Sequence, residues 1–301
     1  MAIPSPTVPW STPPLGPVHP RVRFVERLRR GWALTKASFR VLSADKELVA
    51  LPVFSLLATG AMCAAFLATL VFTTGFAPDQ WLQGPLFYAA LFGLYFATSF
   101  VAIFFTAAVM GEARMRLEGG SPTLRDGLRF AARNAGRLAI WAVITATVGL
   151  LLRAVAQRAG FIGRIVVGLI GFAWSVATFF VLPVILFEQL GSVAAIRRSA
   201  GIIRGTWGES LAGELGLGIV FGLLALAGLL PLFFGFLLLV ATANVLGFAL
   251  ILGATIAYWV VLGLLASAAQ AVLVVALYRY ATTGQIGFGF PPELIPRPLP
   301  L

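Results

Sequence analysis

The sequence predicts an all-α integral membrane protein, a bundle of six transmembrane helices, and three observations support this fold class. Of the 301 residues, 59% are hydrophobic and only 11% are charged, whereas soluble domains carry about 25% charged residues. Apolar stretches such as 48–76, 85–110 and 247–277 exceed the roughly 20 residues that a helix needs to cross a bilayer. No region alternates apolar and polar residues over about 10 positions, as the strands of a membrane β-barrel do.

The predicted transmembrane domain covers residues 21–284, between proline-rich tails at 1–20 and 285–301. The first tail has neither the basic nor the apolar region of a signal peptide. Both tails are expected to be solvated, although either could bind a partner. Six spans are predicted, at 46–75, 84–117, 136–158, 161–189, 209–240 and 247–280. Pro231 leaves a seventh crossing open, because a proline can kink a membrane helix or end it.

The distribution of basic residues predicts the orientation. With the N-terminus inside, nineteen of the 22 Lys and Arg residues fall on the cytoplasmic side, and only Arg153, Arg158 and Arg164 fall outside. Cytoplasmic loops carry this excess of Lys and Arg in membrane proteins. The chain is therefore expected in the cell (inner) membrane with both termini cytoplasmic.

Three cytoplasmic-side stretches are predicted as interfacial helices, because their apolar residues recur at steps of three and four. The stripes are Val25, Leu28, Trp32, Phe39 and Leu42; Leu124, Leu128, Ala131, Ala135 and Leu138; and Val193, Ile196, Ala200, Ile203 and Trp207. A capping-box pattern at Thr206 and Glu209 predicts that span five begins after the third stretch. The candidate contacts with lipid headgroups are Arg125, Arg129, Arg133, Arg197, Arg198 and Arg204. Packing of these stretches against helix ends is the alternative.

The chain also reads as one unit written three times, with an arginine-bearing helix, an outward span and a returning span in each. Small residues stand four apart in the returning spans, which lets helix backbones approach closely in lipid. These rows are Ala89, Gly93 and Ala97; Gly171 and Ser175; and Gly263, Ser267 and Ala271. We expect the three rows to line the centre of the bundle.

Four segments resemble an uncharacterised family of prokaryotic polytopic membrane proteins. They read FFTAAVMGEARMRLEGGSPTLRDGL, TFFVLPVILFEQLG, RRSAGIIRGTWGES and LYRYATTG. The resemblance runs from about Arg29 to Gly284 and implies architecture without a function. A looser likeness exists to the membrane portion fused to some glycerophosphodiester phosphodiesterases. The catalytic domain of that enzyme has no counterpart here, so its activity is not implied.

The sequence offers no catalytic, cofactor or metal site. The single histidine, His19, lies in the N-terminal tail, and no HExxH, GxSxG or Walker pattern occurs. Cys63 lies inside span one and is expected to be an apolar filler. The arginines fit no nucleic-acid-binding motif. We therefore expect a non-enzymatic protein whose partners are membrane lipids and not nucleic acid.

The candidate site residues are two acids and one amide. Glu112 and Glu188 end successive returning spans, at equivalent places in the repeat. A carboxylate there is costly unless it is paired, so we expect each to meet arginines of the following interfacial helix, structurally or as a gate. Gln270 is the candidate polar group within a span, because an amide deep in lipid needs a partner.

Two functions remain open from the sequence. The basic interfacial helices favour a lipid-interacting or scaffold component, and the repeat favours a transporter or permeation pathway for a small substrate or lipid. A polar cavity reaching mid-membrane between spans two, four and six would favour transport. A solid apolar centre would favour the scaffold.

Overall fold

The computed structural model describes residues 47–74 and 85–284, and within these ranges all regular structure is helical. The two tails, His19 and the first predicted interfacial helix lie outside the described residues. The helices run in this order: α1 (Glu47–Thr74), α2 (Pro85–Leu117), α3 (Leu124–Arg133), α4 (Ala135–Arg158), α5 (Phe161–Ala177), α6 (Val181–Pro183), a π-helical segment (Val184–Glu188), α7 (Ser192–Ala227), α8 (Leu229–Thr242) and α9 (Val245–Thr283). The all-helical prediction is confirmed.

Six helices of the described chain are long and apolar enough to cross a membrane. The predicted spans two and three agree with α2 and α4 to within one residue at each end. Span four combines α5, α6 and the π-helical segment, as Phe161–Glu188. Pro231 lies inside α8, and Leu217–Thr242 forms one span rather than two. The described residues therefore fit the six-span prediction.

The third predicted interfacial helix is not separate from span five. The single helix α7 runs from Ser192 to Ala227 and includes Thr206 and Glu209, so the capping-box pattern there does not begin a helix. No proline interrupts this stretch, and glycine alone lowers helix stability by only about 1 kcal/mol. The second predicted stretch does contain a separate short helix, α3, which a break at Asn134 divides from α4.

Burial is concentrated at one end of the bundle, where α2 ends, α3 lies, α7 begins and α9 ends. We call this the arginine-rich end, and the opposite one the far end. Its hydrophobic core includes the fully buried Ala107, Ala108, Val181, Val184 and Ala268. In contrast α5, which approaches the far end, has no buried residue. The returning spans therefore meet at the arginine-rich end.

Of the rows of small residues only Ala271 is buried in this core, so the expectation that all three rows line the centre is wrong. Ala89, Gly93, Ser175 and Ser267 are exposed. A side chain built at Gly93 or at Gly263 would meet nothing within 4 Å. Spacing by four residues places a row on one helix stripe, but it does not say which neighbour that stripe faces. On α9 the same stripe is exposed at Gly263 and Ser267 and buried at Ala271, nearer the arginine-rich end.

Candidate functional site

Span four loses its regular helical form as it reaches the arginine-rich end. After α5 the chain turns at residues 178–180, and the π-helical segment Val184–Glu188 follows α6. The Ser199 hydroxyl oxygen, fully buried on α7, accepts a hydrogen bond of 3.0 Å from the Phe180 backbone N–H. Single-turn π-helical segments are rare in proteins, but those that do occur often lie at functional sites. This irregular segment ends on Glu188, one of the two predicted acids.

Glu188 lies in a polar cluster with Arg198 of α7 and Tyr278 of α9. Arg198 Nε lies 3.1 Å from both carboxylate oxygens of Glu188. The Tyr278 hydroxyl donates a hydrogen bond of 2.7 Å to Glu188 Oε1. The predicted pairing of Glu188 with an arginine of the next amphipathic stretch is therefore present, and Tyr278 joins a third element to it. The cluster ties together span four, α7 and α9.

Glu112 has a different environment, although the predicted repeat assigns it the equivalent position in α2. Its side chain is completely buried, and α3 crosses directly over it. A Cβ atom added to Gly127 would lie 2.5 Å from Glu112 Oε1, and one added to Gly111 would lie 2.5 Å from a ring carbon of Phe130. The α3 helix thus presents glycine, rather than one of its arginines, to Glu112. Two glycines allow this close approach of α2 and α3.

The other face of α3 carries the predicted headgroup arginines. Arg125, Arg129 and Arg133 are exposed, whereas Gly127 and Ala131 are buried toward α2. This is the two-faced pattern of an amphipathic helix. The helix also has an acid at its N-terminus, where negative charge is favourable. Hydrogen bonds from the Thr123 side chain and backbone N–H lower the pKa of Asp126 there.

The remaining predicted headgroup arginines fall into two groups. Arg197 and Arg204 are exposed on α7, as a headgroup contact requires. Arg198 instead forms the ion pair with Glu188. Gln270 is exposed on α9, beside the buried Ala268 and Ala269.

A cavity of about 280 Å³ lies next to the Glu188 cluster. It is lined by Arg114, Glu118, Phe187, Val275, Tyr278, Arg279, Thr282 and Thr283. Arg114 pairs with Glu118 at 3.1 Å, and its guanidinium carbon lies 4.7 Å from the centre of the Phe187 ring. The wall of this cavity therefore combines two guanidinium groups with one carboxylate.

The helix of span five is interrupted near its middle at the single residue Gly228, between α7 and α8, where the backbone stays right-handed. Tyr258 donates a hydrogen bond of 2.6 Å to the Leu224 carbonyl oxygen, and Trp259 Nε1 donates one of 3.0 Å to the Ala225 carbonyl oxygen. Pro231 has no N–H with which to continue the backbone ladder. A Cβ atom at Gly228 would lie 2.5 Å from Trp259 Nε1. Glycine therefore allows the two aromatic side chains to reach the carbonyls at the break.

Sequence reasoning did not identify Tyr278, Arg279 or Gly228. Tyr278 and Arg279 stand in the LYRYATTG segment, where a tyrosine and an arginine near the end of a span were the available signal. Nothing local distinguishes Gly228 from the other glycines of span five. Within the described ranges, no group of three or more His, Cys, Asp and Glu residues could hold a metal ion.

The comparison with known proteins gives a family without a function. No curated protein matches the chain. The model of DUF6159, a family of unknown function, matches residues 86–288. This match begins later than the resemblance seen in the sequence, which reached back to about Arg29. It includes the residues of the Glu188 cluster, of the cavity beside it and of the interruption at Gly228. Because this match covers more than half of the chain, the chain belongs to the DUF6159 family.

Proposed function

We propose that this protein is a non-enzymatic, lipid-interacting scaffold of the prokaryotic cell membrane, with its arginine-rich end and both termini in the cytoplasm. The observation on which the proposal depends is the geometry of α3. One face of this helix is buried against α2, while Arg125, Arg129 and Arg133 are exposed on the other. The apolar face packs on protein, so the proposed lipid contact depends on the three exposed arginines, which would meet anionic headgroups at the membrane surface.

The centre of the arginine-rich end supports a scaffold more than a permeation pathway. Ala107 and Ala108 of α2, Val181 of α6, and Ala268 and Val272 of α9 are all fully buried. They belong to one hydrophobic cluster. Spans two, four and six are thus held together there by apolar packing, which is the arrangement expected of a scaffold.

The lipid contact is tested by changing Arg125, Arg129 and Arg133 together to glutamine. Each basic side chain near an anionic membrane surface contributes about 1 kcal/mol. We expect the purified triple variant to insert normally and to retain much less phosphatidylglycerol than the parent protein. Mass spectrometry of lipid that copurifies with the protein measures this retention.

The matched control is the triple lysine variant at the same positions. Lysine keeps the charge but loses the planar fork of arginine, so retention of phosphatidylglycerol should stay close to that of the parent. Equal retention by the glutamine variant and the parent would contradict the proposal. A loss that is as large with lysine as with glutamine would assign these arginines to protein contacts.

The orientation is tested by reporter fusions. The excess of Lys and Arg on one side predicts that fusions after Gln83 and near Arg158 report an external location. Fusions near Gly120, Gly191 and Gly284 should report the cytoplasm. An external reporter after Gly284 would contradict the six-span arrangement and favour seven crossings.

A transporter remains the second candidate, and the break at Gly228 favours it. Transporters often bind substrates or ions at broken helices near mid-membrane. Gly228 lies near the middle of Leu217–Thr242. A groove of about 440 Å³ beside the break is lined by Ala227, Gly228, Pro231, Ile251, Ala254, Thr255 and Tyr258. Substrate-dependent flux in proteoliposomes would favour this candidate over the scaffold.

A further inference from the structure

The cavity beside the Glu188 cluster contains an arginine with an incompletely satisfied guanidinium group. Arg279 is 25% exposed at its side chain, and its Nη1 atom is buried without a hydrogen-bond partner among the described residues. The nearest acid is Glu118, whose Oε1 lies 4.0 Å from Nη1. This separation exceeds the length of a hydrogen bond. A buried N–H donor that lacks an acceptor is costly, so this atom is suited to an incoming acceptor.

The charges around the cavity favour an anion. Arg114 and Arg279 both approach Glu118 Oε1, at 3.1 Å and 4.0 Å. Two guanidinium groups thus share one carboxylate, which leaves one positive charge in excess. Glu188 does not cancel this excess, because its carboxylate is already paired with Arg198. A second anionic group in the cavity would complete the charge balance.

The depth and the lining of the cavity restrict the kind of anion. Arg114 and Glu118 are close to half exposed, so the cavity opens to solvent beside them, and Arg279 lies deeper. The exposed Thr282 and Thr283 form a polar rim, while Phe187 and Val275 supply apolar wall. A cavity of about 280 Å³ can hold a phosphate group together with a few carbon atoms attached to it.

We infer that this cavity is a binding site for a phosphate-bearing anion, held by Arg279 and Arg114 in competition with Glu118. Guanidinium groups bind phosphate through paired N–H donors, and these charge-assisted hydrogen bonds are among the strongest in proteins. The phosphate can belong to a lipid headgroup or to a soluble molecule, since both present the same oxygens. The inference is independent of the lipid contacts proposed for α3, because none of that helix's arginines lines the cavity.

The first arm of the test is inorganic phosphate titrated calorimetrically into the full-length protein in a non-ionic detergent. The second arm is retention of phosphatidic acid from phosphatidylcholine nanodiscs, measured by mass spectrometry. Arg279→Gln should weaken binding about tenfold, the effect of losing one hydrogen bond to a charged group. Arg158→Gln, an exposed arginine at the far end, should leave the binding of inorganic phosphate unchanged.

Glu118→Gln provides a variant whose expected effect cannot come from misfolding. Removal of the competing carboxylate should strengthen phosphate binding several-fold, because Arg114 and Arg279 then have no other anionic partner in the cavity. Binding in the nanodisc arm alone identifies the source as a lipid headgroup, and binding of inorganic phosphate identifies a soluble one. No binding in either arm, or binding that neither Arg279→Gln nor Glu118→Gln alters, would overturn the inference.

Discussion

Replacement of Glu188 by alanine is expected to destabilise the protein by about 1.5–3 kcal/mol, the range for hydrogen bonds to charged groups. The variant loses both contacts of the carboxylate with Arg198 Nε and leaves the Tyr278 hydroxyl without its acceptor. Because Glu188 is only 26% exposed at its side chain, water replaces these partners incompletely. Thermal unfolding in detergent should show a midpoint lower by roughly 5 °C.

Three further variants separate the parts of this cluster. Glu188→Gln keeps an oxygen acceptor for Tyr278 and should be less destabilising than alanine. Arg198→Gln should reproduce part of the loss, whereas Arg197→Gln, one position away and exposed, should not. If the unfolding midpoint of Glu188→Ala equals that of the parent protein, the cluster does not stabilise the fold. The gating hypothesis for Glu188 would then remain.

Glu112 provides a contrast within the same pair of predicted acids. It is completely buried beneath Gly127, whereas Glu188 is partly exposed. Because the Glu112 side chain is completely buried, its replacement by alanine would leave a cavity in the core, which is destabilising. The two acids that the predicted repeat places at equivalent positions therefore have different environments in the fold.

Replacement of Gly228 by alanine is expected to disrupt the middle of span five. The new methyl group would lie 2.5 Å from Trp259 Nε1 and 2.9 Å from a ring carbon of Tyr258. Relief of this overlap must move α9 or break the hydrogen bonds to the Leu224 and Ala225 carbonyls. Overpacking of this kind costs about 1–3 kcal/mol, and each lost hydrogen bond adds about 1 kcal/mol. Thermal unfolding in detergent should report the combined loss.

The matched control is Gly222→Ala, six residues earlier in the same span. A Cβ atom at Gly222 would meet nothing within 4 Å, and alanine is a better helix former than glycine by about 1 kcal/mol. This variant should therefore be as stable as the parent protein or more so. Similar losses at both positions would mean that glycine matters here for flexibility and not for the approach of Trp259.

The sequence predicts the spans well because their physical determinants are local. Length and hydropathy set where a helix enters and leaves the membrane, so α2 and α4 begin and end close to the expected residues. The helix boundary predicted between the third amphipathic stretch and span five was wrong, because it too was predicted from local patterns alone. An amphipathic stretch and an apolar one can form a single helix, and no breaker residue separates them in α7.

The candidate site is less accessible to sequence reasoning, because its contacts join distant parts of the chain. Glu188 and Arg198 are ten residues apart, close enough for the pairing to be expected. Tyr278 is 90 residues from Glu188, and nothing near either residue indicates the contact. The cavity likewise combines residues of α2, the π-helical segment and α9. Such combinations follow from packing between helices, which a local pattern does not specify.

The concentration of burial at one end implies that the two leaflets contribute unequally to the cohesion of this protein. Toward the arginine-rich end, the helices pack against one another, and their buried side chains form a core like that of a soluble protein. Toward the far end, large apolar side chains such as Leu151, Phe161 and Leu169 are exposed, as expected of membrane spans whose surfaces face acyl chains. Helices in lipid gain no hydrophobic driving force from meeting each other. We therefore expect helix packing at the far end to respond more to acyl chain length and order than packing at the arginine-rich end does.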